Sequence, residues 1–347
     1  MIRFRTIILL MMMWTANAAS SSLQNAVSGQ IIDDTTQEPV VYVNVFLANT
    51  TLGTTTDSLG YYSIANIPPG NYSLVVSHIS HNTEVRHLQI LSTGKQMHNF
   101  ALTPAVLEMQ SVQIERTRDE QWREQFETFK AEFLGYSEHA QACEFVNPEV
   151  LHVVQQGPPS YYATTLRPLE MKHHNFGYRV TLIVRSFIST NNRISYSVLP
   201  AFEEMTASTE SQAEQWLENR LQAFYGSYRH FFLSLFSRQL EAAGFSLERV
   251  DEAKRFRASI ASYTSQSAQD DIYSNTAISI VKRLHFPDYL RVRYQKNWAQ
   301  TSFLNLPFDT MQVDVSGNTL ANADVLRSGH WGRIRFADEL PLDYLPE

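Results

Sequence analysis

The sequence predicts a multidomain chain in which an N-terminal all-β sandwich is followed by an α+β domain. Three observations predict it. Over residues 27–102, short alternating apolar runs are separated by Asp, Gly and Pro turn signals about every ten residues, the pattern of a sandwich. From Asp119 the apolar period changes from two to that of a helix, with Trp122, Phe126, Phe129 and Phe133 on one stripe. The third is size: 347 residues are long for one domain and comfortable for two, and 44% hydrophobic with 12% aromatic content supplies both cores.

Within the first domain, a strand is expected over 27–32, with Val27, Gln30 and Ile32 near its core face or edge. Asp33, Asp34, Thr35 and Thr36 supply turn chemistry, because their side chains bond nearby backbone N–H groups. Past Pro39, Val41, Val43, Val45 and Leu47 share one face of a strand. Thr54–Thr56 is β-branched and strand-like, and Asp57, Ser58, Leu59 and Gly60 form a turn in which Gly60 takes a positive φ. A strand over 61–64 leads to the turn Pro68, Pro69, Gly70, Asn71. Strands over 72–77, near 86–91 and near 98–102 bring the total to about seven, as such a sandwich requires.

These residues resemble a known family. The order Gly29-x-Ile31-x-Asp33, Thr36-x-x-Pro39, Val43-x-Val45, Gly53-Thr54-x-Thr56-Asp57-x-x-Gly60-Tyr61-Tyr62 and Ile67-Pro68-Pro69-Gly70-x-Tyr72-x-Leu74 is similar to the carboxypeptidase-regulatory-like domain family. The resemblance implies a transthyretin-like (prealbumin-like) β-sandwich. In that family the module stands beside metallocarboxypeptidase domains and at the start of TonB-dependent outer-membrane receptors. It implies a non-catalytic accessory module, not a peptidase. After the Leu-x-Val-x strand this chain carries Ile79-Ser80-His81-Asn82, where the family usually shows Gly and then an aromatic.

In the second domain, the helix opened by Asp119 stops at Gly135. Strands are expected over 150–154, 161–166, 178–187 and 193–199, with the turn 157–159 after the first of them. Two helices follow, over 210–224 and 227–243, the second stopped by Gly244. Strands over 278–284 and 289–294, and one or two over 303–315, complete it. Helix, strands, two helices, strands is an α+β order, not alternating α/β. The segment from Asn219 to Phe232 and the ending Asp338-Glu339-Leu340-Pro341-Leu342-Asp343-Tyr344 are similar to uncharacterised exported proteins of Bacteroidota-type bacteria, in which such a region follows the sandwich module. The expected division is a signal peptide at 1–18, the sandwich at 25–104, a linker at 105–118, where Val112 and Ile114 alternate like a strand, and the α+β domain at 119–347.

Arg3 and Arg5, the short apolar run 7–14 and the Ala16-Asn17-Ala18 site read as a cleaved secretory signal. The run is about half the roughly 20 residues that span a bilayer, and no later segment is apolar and long enough. Export to the periplasm or the outer membrane, or secretion, is the expected location. A net charge of -7 excludes the basic field that nucleic acid needs. Cys143 is the single cysteine, so no internal disulfide forms, and a small buried residue is expected there.

Candidate chemistry is sparse. His81 and Glu84 form an H-x-x-E, the spacing of two zinc ligands, but a zinc site needs a third ligand and an open position. His173 and His174 are expected in a solvated turn, and His230 as a satisfied, partly buried side chain. Arg229 and His230 lie near a helix start, where an anion is favoured. Asp270 and Asp271 lack calcium-loop spacing. Tyr61, Tyr62, Tyr161, Tyr162 and Trp331 offer stacking surfaces for sugar or peptide, although strand aromatics more often pack in cores. Asn49-Thr50-Thr51 and Asn71-Tyr72-Ser73 fit the glycan acceptor pattern. No catalytic residue, metal ligand or cofactor-binding residue is assigned, and no cofactor is expected. The expectation is a non-catalytic exported protein that binds an envelope protein or a glycan or peptide polymer. The alternatives are a hydrolase, if His173, His230, Asp270 and Glu339 converge, and a relative of a TonB-dependent receptor.

Overall fold

The computed structural model describes residues 25–91, 94–105, 116–155, 161–190, 193–250, 261–262, 271–319 and 325–346. The signal segment, the connector at Val112 and Ile114, the turn 157–159 and Asp270 lie outside them.

The first unit is a β-sandwich. Strands β1 (Ala26–Asp33), β4 (Tyr61–Ala65), β7 (Lys95–Met97) and β8 (Phe100–Leu102) make one sheet, in which β1 pairs antiparallel with β4 and parallel with β7 and β8. Strands β2 (Asn44–Leu47), β3 (Gly53–Thr55), β5 (Gly70–His78) and β6 (His81–Ile90) make the other, in the order β3-β2-β5-β6. Side chains alternate across a strand, so β1 turns Val27, Gly29 and Ile31 inward. This corrects the expectation for Gln30 and Ile32, which are half-buried on the opposite face. Val43, Val45 and Leu47 are fully buried as expected, while Val41 precedes the strand and is exposed. The Asp57 turn closes as its chemistry requires: the carboxylate accepts from the N–H of Leu59 and of Tyr61, each at 2.9 Å, and Gly60 sits at φ 75°.

The second region begins with α1 (Arg116–Leu134), which starts before Asp119, so Asp119 lies inside the helix and is not its cap. Its stripe of Phe126, Phe129 and Phe133 is buried against a six-stranded sheet. That sheet comprises β9 (Cys143–Phe145), β10 (Leu151–Gln155), β11 (Tyr161–Thr165), β12 (Leu169–His173), β13 (Tyr178–Thr190) and β14 (Arg193–Glu204). The short helix α2 (Glu138–Gln141) precedes β9. Helices α3 (Glu210–Phe224) and α4 (Tyr228–Phe236) follow, the latter ending well before Gly244. Leu240 is still buried beyond it, although the chain there runs through turns.

A further apolar cluster packs α4 against β15 (Phe245–Val250), β17 (Tyr273–Asn275), β18 (Val281–Leu284), β19 (Tyr289–Tyr294), β20 (Thr301–Asn305) and β21 (Met311–Asp314), and β16 (Ala261–Ser262) and β22 (Leu326–Gly329) add edge strands. These strands form the sheets β16-β15-β19-β20-β22 and β17-β18-β21. The residues past 116 therefore bury two separate apolar clusters.

The sandwich docks through the outer face of its second sheet. β5 is buried on both sides: Leu74 and Val76 face the sandwich core, and Val75, with Phe46 and Ala48, faces Leu199, Ile183 and Ala201 of β13 and β14. The seam is also bonded along its backbone: Asn49 N–H donates to Pro200 O at 2.7 Å, and Phe202 N–H to Thr50 O at 3.0 Å.

Candidate functional site

Where the sandwich, α4 and the C-terminal segment meet, they enclose a cleft of about 730 Å3. Pockets of roughly 300–1,000 Å3 hold ligands of small-molecule size. Asn71, Tyr72 and Ser73 from β5 and His87 and Gln89 from β6 form one wall. Ser227–Arg229, the turn after β21 and residues 338–342 form the others.

Local chemistry fixes each wall. Ser227 caps α4 by accepting from His230 N–H at 3.1 Å, and the His230 ring accepts from Gly226 N–H at 3.0 Å. This reciprocal closure sets Arg229 on the first turn, facing the tail. The next wall is a Asp turn: the Asp314 carboxylate accepts from Ser316 N–H at 2.9 Å, Asn318 N–H at 3.0 Å and Asn318 Nδ2 at 3.0 Å. Gly317 sits at φ 84°, and a Cβ there would lie 2.3 Å from the Phe232 ring, so only glycine lets the turn close on α4. Tyr228 completes that contact by donating its hydroxyl to Gly317 O at 3.2 Å.

The tail is held by hydrogen bonds from both sides. Arg229 Nη1 donates to Pro341 O at 2.7 Å and Nη2 donates to Leu342 O. On the sandwich side, Leu342 N–H donates to Asn49 O at 2.7 Å. The Asp343 carboxylate accepts from Thr51 N–H at 3.0 Å and from the Thr51 hydroxyl. Burial lowers the Arg229 pKa to about 10, against the opposing pull of Asp343, Tyr72 and Asp314. Burial raises the pKa of Asp314 despite its hydrogen bonds, and also that of Glu339, which accepts from Tyr196 at 3.2 Å. Tyr72 is pushed up to about 12 by burial, reinforced by Asp343 and Asp314.

On two residues that line the cleft, the donors Arg229 Nε and Asn71 Nδ2 are covered by protein atoms and have no acceptor among the described residues. The Asn71 carbonyl oxygen is already taken by Gln89 Nε2 at 3.3 Å. A buried donor left unmade costs about 1–3 kcal/mol.

The residues singled out by sequence are dispersed. His81 Nε2 lies 3.0 Å from Asp33 Oδ2 and its Nδ1 lies 3.0 Å from both His78 Nδ1 and the Ser80 hydroxyl, while Glu84 is exposed and apart from them. Both His81 nitrogens are thus engaged, and Asp33 also accepts from Thr35 and Thr36 N–H. That network ties the β5–β6 hairpin to the first turn of the sandwich. His173 is not in a solvated turn: it ends β12, donates from Nε2 to Ala337 O at 2.9 Å and accepts from Phe176 N–H at 3.2 Å. The strand Leu169–His173, unexpected from the sequence, carries it inward. His174 is exposed and meets Glu144 at 3.0 Å.

His230 is buried and satisfied, as expected. Of the described residues on which the hydrolase alternative rests, Glu339 alone lines the cleft, and His173 and His230 are each locked by backbone partners elsewhere; Asp270 lies outside the described residues. Among the described residues no group of three His, Cys, Asp or Glu side chains has metal-holding geometry. Arg229 donates from Nη1 and Nη2 to the backbone carbonyls of Pro341 and Leu342. Cys143 is buried and its thiol is pushed up to about 12 by burial. Of the five aromatics proposed for stacking, Tyr61 is exposed, while Tyr62 and Trp331 are buried. Asn71, expected in a turn and as a glycan acceptor but carried by β5, and Asp314, in a turn-forming Asp-x-Ser-Gly-Asn, are site residues to which sequence gave no binding role.

Residues 27–114 match the model of the family described as CarboxypepD_reg-like domain, so the N-terminal sandwich is a carboxypeptidase-regulatory-like domain. No curated protein sequence matches the chain. Among solved structures, it is similar to a cohesin–X-dockerin complex chain from Acetivibrio cellulolyticus at 23% identity, covering 26% of this chain and 64% of that one, with a TM-score of 0.21. It is also similar to 3-chlorocatechol 1,2-dioxygenase from Rhodococcus opacus 1CP at 12% identity, covering 24% and 62%, with a TM-score of 0.19. A DUF3823 family protein from Bacteroides uniformis ATCC 8492 is 9% identical, over 84% of this chain and 98% of that one, with a TM-score of 0.17. The chain spans less than two thirds of the first two, and these TM-scores carry no functional argument. Among the described residues no helix is long and apolar enough to cross a membrane.

Proposed function

We propose that this chain, opened by a carboxypeptidase-regulatory-like domain, is a non-catalytic exported binding protein of the cell envelope, and that the cleft between the sandwich, α4 and the tail is where its ligand sits. The observation that carries this reading is a cleft of ligand size walled by three separate parts of the chain, the sandwich, the start of α4 and the tail. The signal-like start supports export, and the partner class is a polymer of the envelope, a glycan or a peptide.

The reading is tested with the full chain immobilised and washed with solubilised envelope polymers, beside a Ser73→Trp variant that fills the cleft. Retention by the native chain and its loss in the variant is the expected result. Equal retention by both, or none by either, overturns the assignment. Export is checked separately: the mature N-terminus, sequenced from an envelope fraction, is expected at Ala19.

A further inference from the structure

We infer that the sandwich turn 78–81 is a site for a divalent transition-metal ion of the copper(II) or nickel(II) class, held by His78 Nδ1, His81 Nδ1 and the Ser80 hydroxyl. The turn stands apart from the cleft: Ser73 lines the cleft, and His78 lies five positions farther along β5, roughly 17 Å at the rise of a strand. Only Ile79 and Ser80 join β5 to β6, and His78 pairs directly with His81 across the strands. Cross-strand partners share a face, so the two imidazoles lie on one side. His78 Nδ1, His81 Nδ1 and Ser80 Oγ form a triangle with every edge 3.0 Å long. Behind it, Asp33 Oδ2 stands 3.0 Å from His81 Nε2. Thr36 N–H and His81 hold the Asp33 pKa below its ordinary value, so at neutral pH it is a carboxylate that keeps the His81 proton on Nε2. A carboxylate behind the imidazole is the arrangement that orients metal-ligating histidines. It leaves His81 Nδ1 a lone pair, directed into the triangle.

The triangle is short of protons. Ser80 brings one, and a neutral His78 has one to share between its two ring nitrogens, so three edges receive at most two. A third would make His78 an imidazolium, and burial, then the His81 ring, hold the His78 pKa below its ordinary value. One cation satisfies all three lone pairs at once. The distances also choose among ions. At a metal–nitrogen distance of about 2.1 Å, nitrogens 3.0 Å apart subtend about 90°, whereas tetrahedral ligands would stand about 3.4 Å apart. Right angles between nitrogen and oxygen donors belong to the tetragonal sites of copper(II) and nickel(II). Ser80 is exposed, so the ion has a way in and water reaches its remaining positions. The third donor is a hydroxyl, and Glu84 takes no part.

The experiment titrates Cu2+, and separately Ni2+, into the untagged full chain, read by calorimetry and, for Cu2+, by electron paramagnetic resonance. The same is done with His78→Ala, His81→Ala and Asp33→Asn, and with His174→Ala, which removes an exposed histidine outside the sandwich. Melting temperatures of the metal-free proteins show that each is folded. The expected result is one saturable site whose axial Cu2+ signal is split by two imidazole nitrogens. It is lost in both turn-histidine variants and kept in His174→Ala. Asp33→Asn gives the sharpest reading. Its Oδ1 still accepts from Thr35 and Thr36 N–H, while its amide nitrogen takes the place of Oδ2 and donates to His81 Nε2. That moves the ring proton to Nδ1 and blocks the ligand, so affinity falls about ten- to a hundredfold. The assignment is overturned by no saturable binding, by a signal split by fewer than two nitrogens, by a site that survives either turn-histidine variant, or by unchanged affinity in Asp33→Asn.

Discussion

The sandwich and the region that follows it close their cores over very different lengths of chain. The sandwich core draws on residues from Val27 to Leu102. The α1 and six-stranded-sheet core runs from Phe126 to Phe202 and is then completed by Phe336 and Ala337. The α4 core likewise starts at Phe231 and closes on Trp331. Closing a longer loop costs entropy before contacts repay it, so the sandwich is the locally sufficient unit, whereas the second region depends on its last residues. The tail that completes those cores also lines the cleft, so the parts that shape the site are the last to be made.

The sharpest way to break this contrast is Phe336→Ala. Phe336 is buried and stacks on Phe133 at a centroid distance of 4.8 Å. Truncating such a side chain costs about 3–5 kcal/mol. The described tryptophans, Trp122, Trp216, Trp298 and Trp331, all lie outside the sandwich, so tryptophan fluorescence in a denaturant titration reads the second region alone. The unfolding free energy it reports is expected to fall by that amount, with the midpoint lowered, while hydrogen exchange in β1, β2 and β5 stays slow. Equal loss of protection in the sandwich would show that the two units are one cooperative system.

That contrast also explains what could be read before any coordinates. The sandwich is legible because its instructions are local: Asp57 and Gly60 make their turn with their own neighbours, and Val43, Val45 and Leu47 declare a face by period two. Inward and outward faces of β1 were harder, since Gly29 fills an inward position without an apolar side chain to mark it. In the second region the stripe Phe126, Phe129, Phe133 is equally local, but β12 carries Glu170 and Lys172 between buried residues and gives only five residues of alternation. The cleft was not legible at all. Asn71 and Arg229 are 158 positions apart by their numbers (229 − 71), and no spacing rule joins a strand of one unit to a helix start of another.

Acid is the second probe. Burial holds the His173 pKa down to about 4, against an ordinary 6.5, with the His139 ring 6.3 Å away and His174 adjacent both adding to the charge cost. The sign follows: between pH 6.5 and 4 the unfolded chain binds a proton that the folded chain refuses. Stability is therefore complete above 6.5 and declines as pH falls through that window, by on the order of 3 kcal/mol for this residue. The tryptophan-monitored midpoint is expected to drop from pH 7 to pH 4.5, and His173→Gln to flatten the slope while costing stability at pH 7. In the sandwich Asp33 works in the other window. Its pKa is lowered by Thr36 N–H and His81, so its contribution persists until pH falls below the ordinary 3.8. His78 and His98 share the direction of His173 but are less buried.

A smaller effect tests the cleft wall without touching either donor. Gly317→Ala forces a Cβ against Phe232 at a positive φ, a strain of about 1–3 kcal/mol. It should lower the tryptophan midpoint and shift the Asp314 turn. Because that turn stands across from β5, ligand affinity should fall while exchange in the sandwich is unchanged. An unaltered midpoint would mean the turn moves freely and cannot be a wall.

The smallest expected effect is the most informative about how the two units are joined. Asp343 reaches back across 292 positions to Thr51, and both residues keep solvent contact. The net value of such a bond is about 1 kcal/mol. Asp343→Ala should leave the tryptophan midpoint nearly unchanged, because Phe336 and Ala337 stay in their core. It should instead raise exchange at the N–H of Thr51 and of Leu342, which donates to Asn49. The apolar seam of Phe46, Ala48 and Val75 on Leu199 remains, so the sandwich is not released. If the seam alone sets the angle between the units, ligand affinity will be untouched by this variant. If the tail sets it, affinity will fall with no loss of stability, because Asn71 and Arg229 stand on opposite sides of the joint that Asp343 closes.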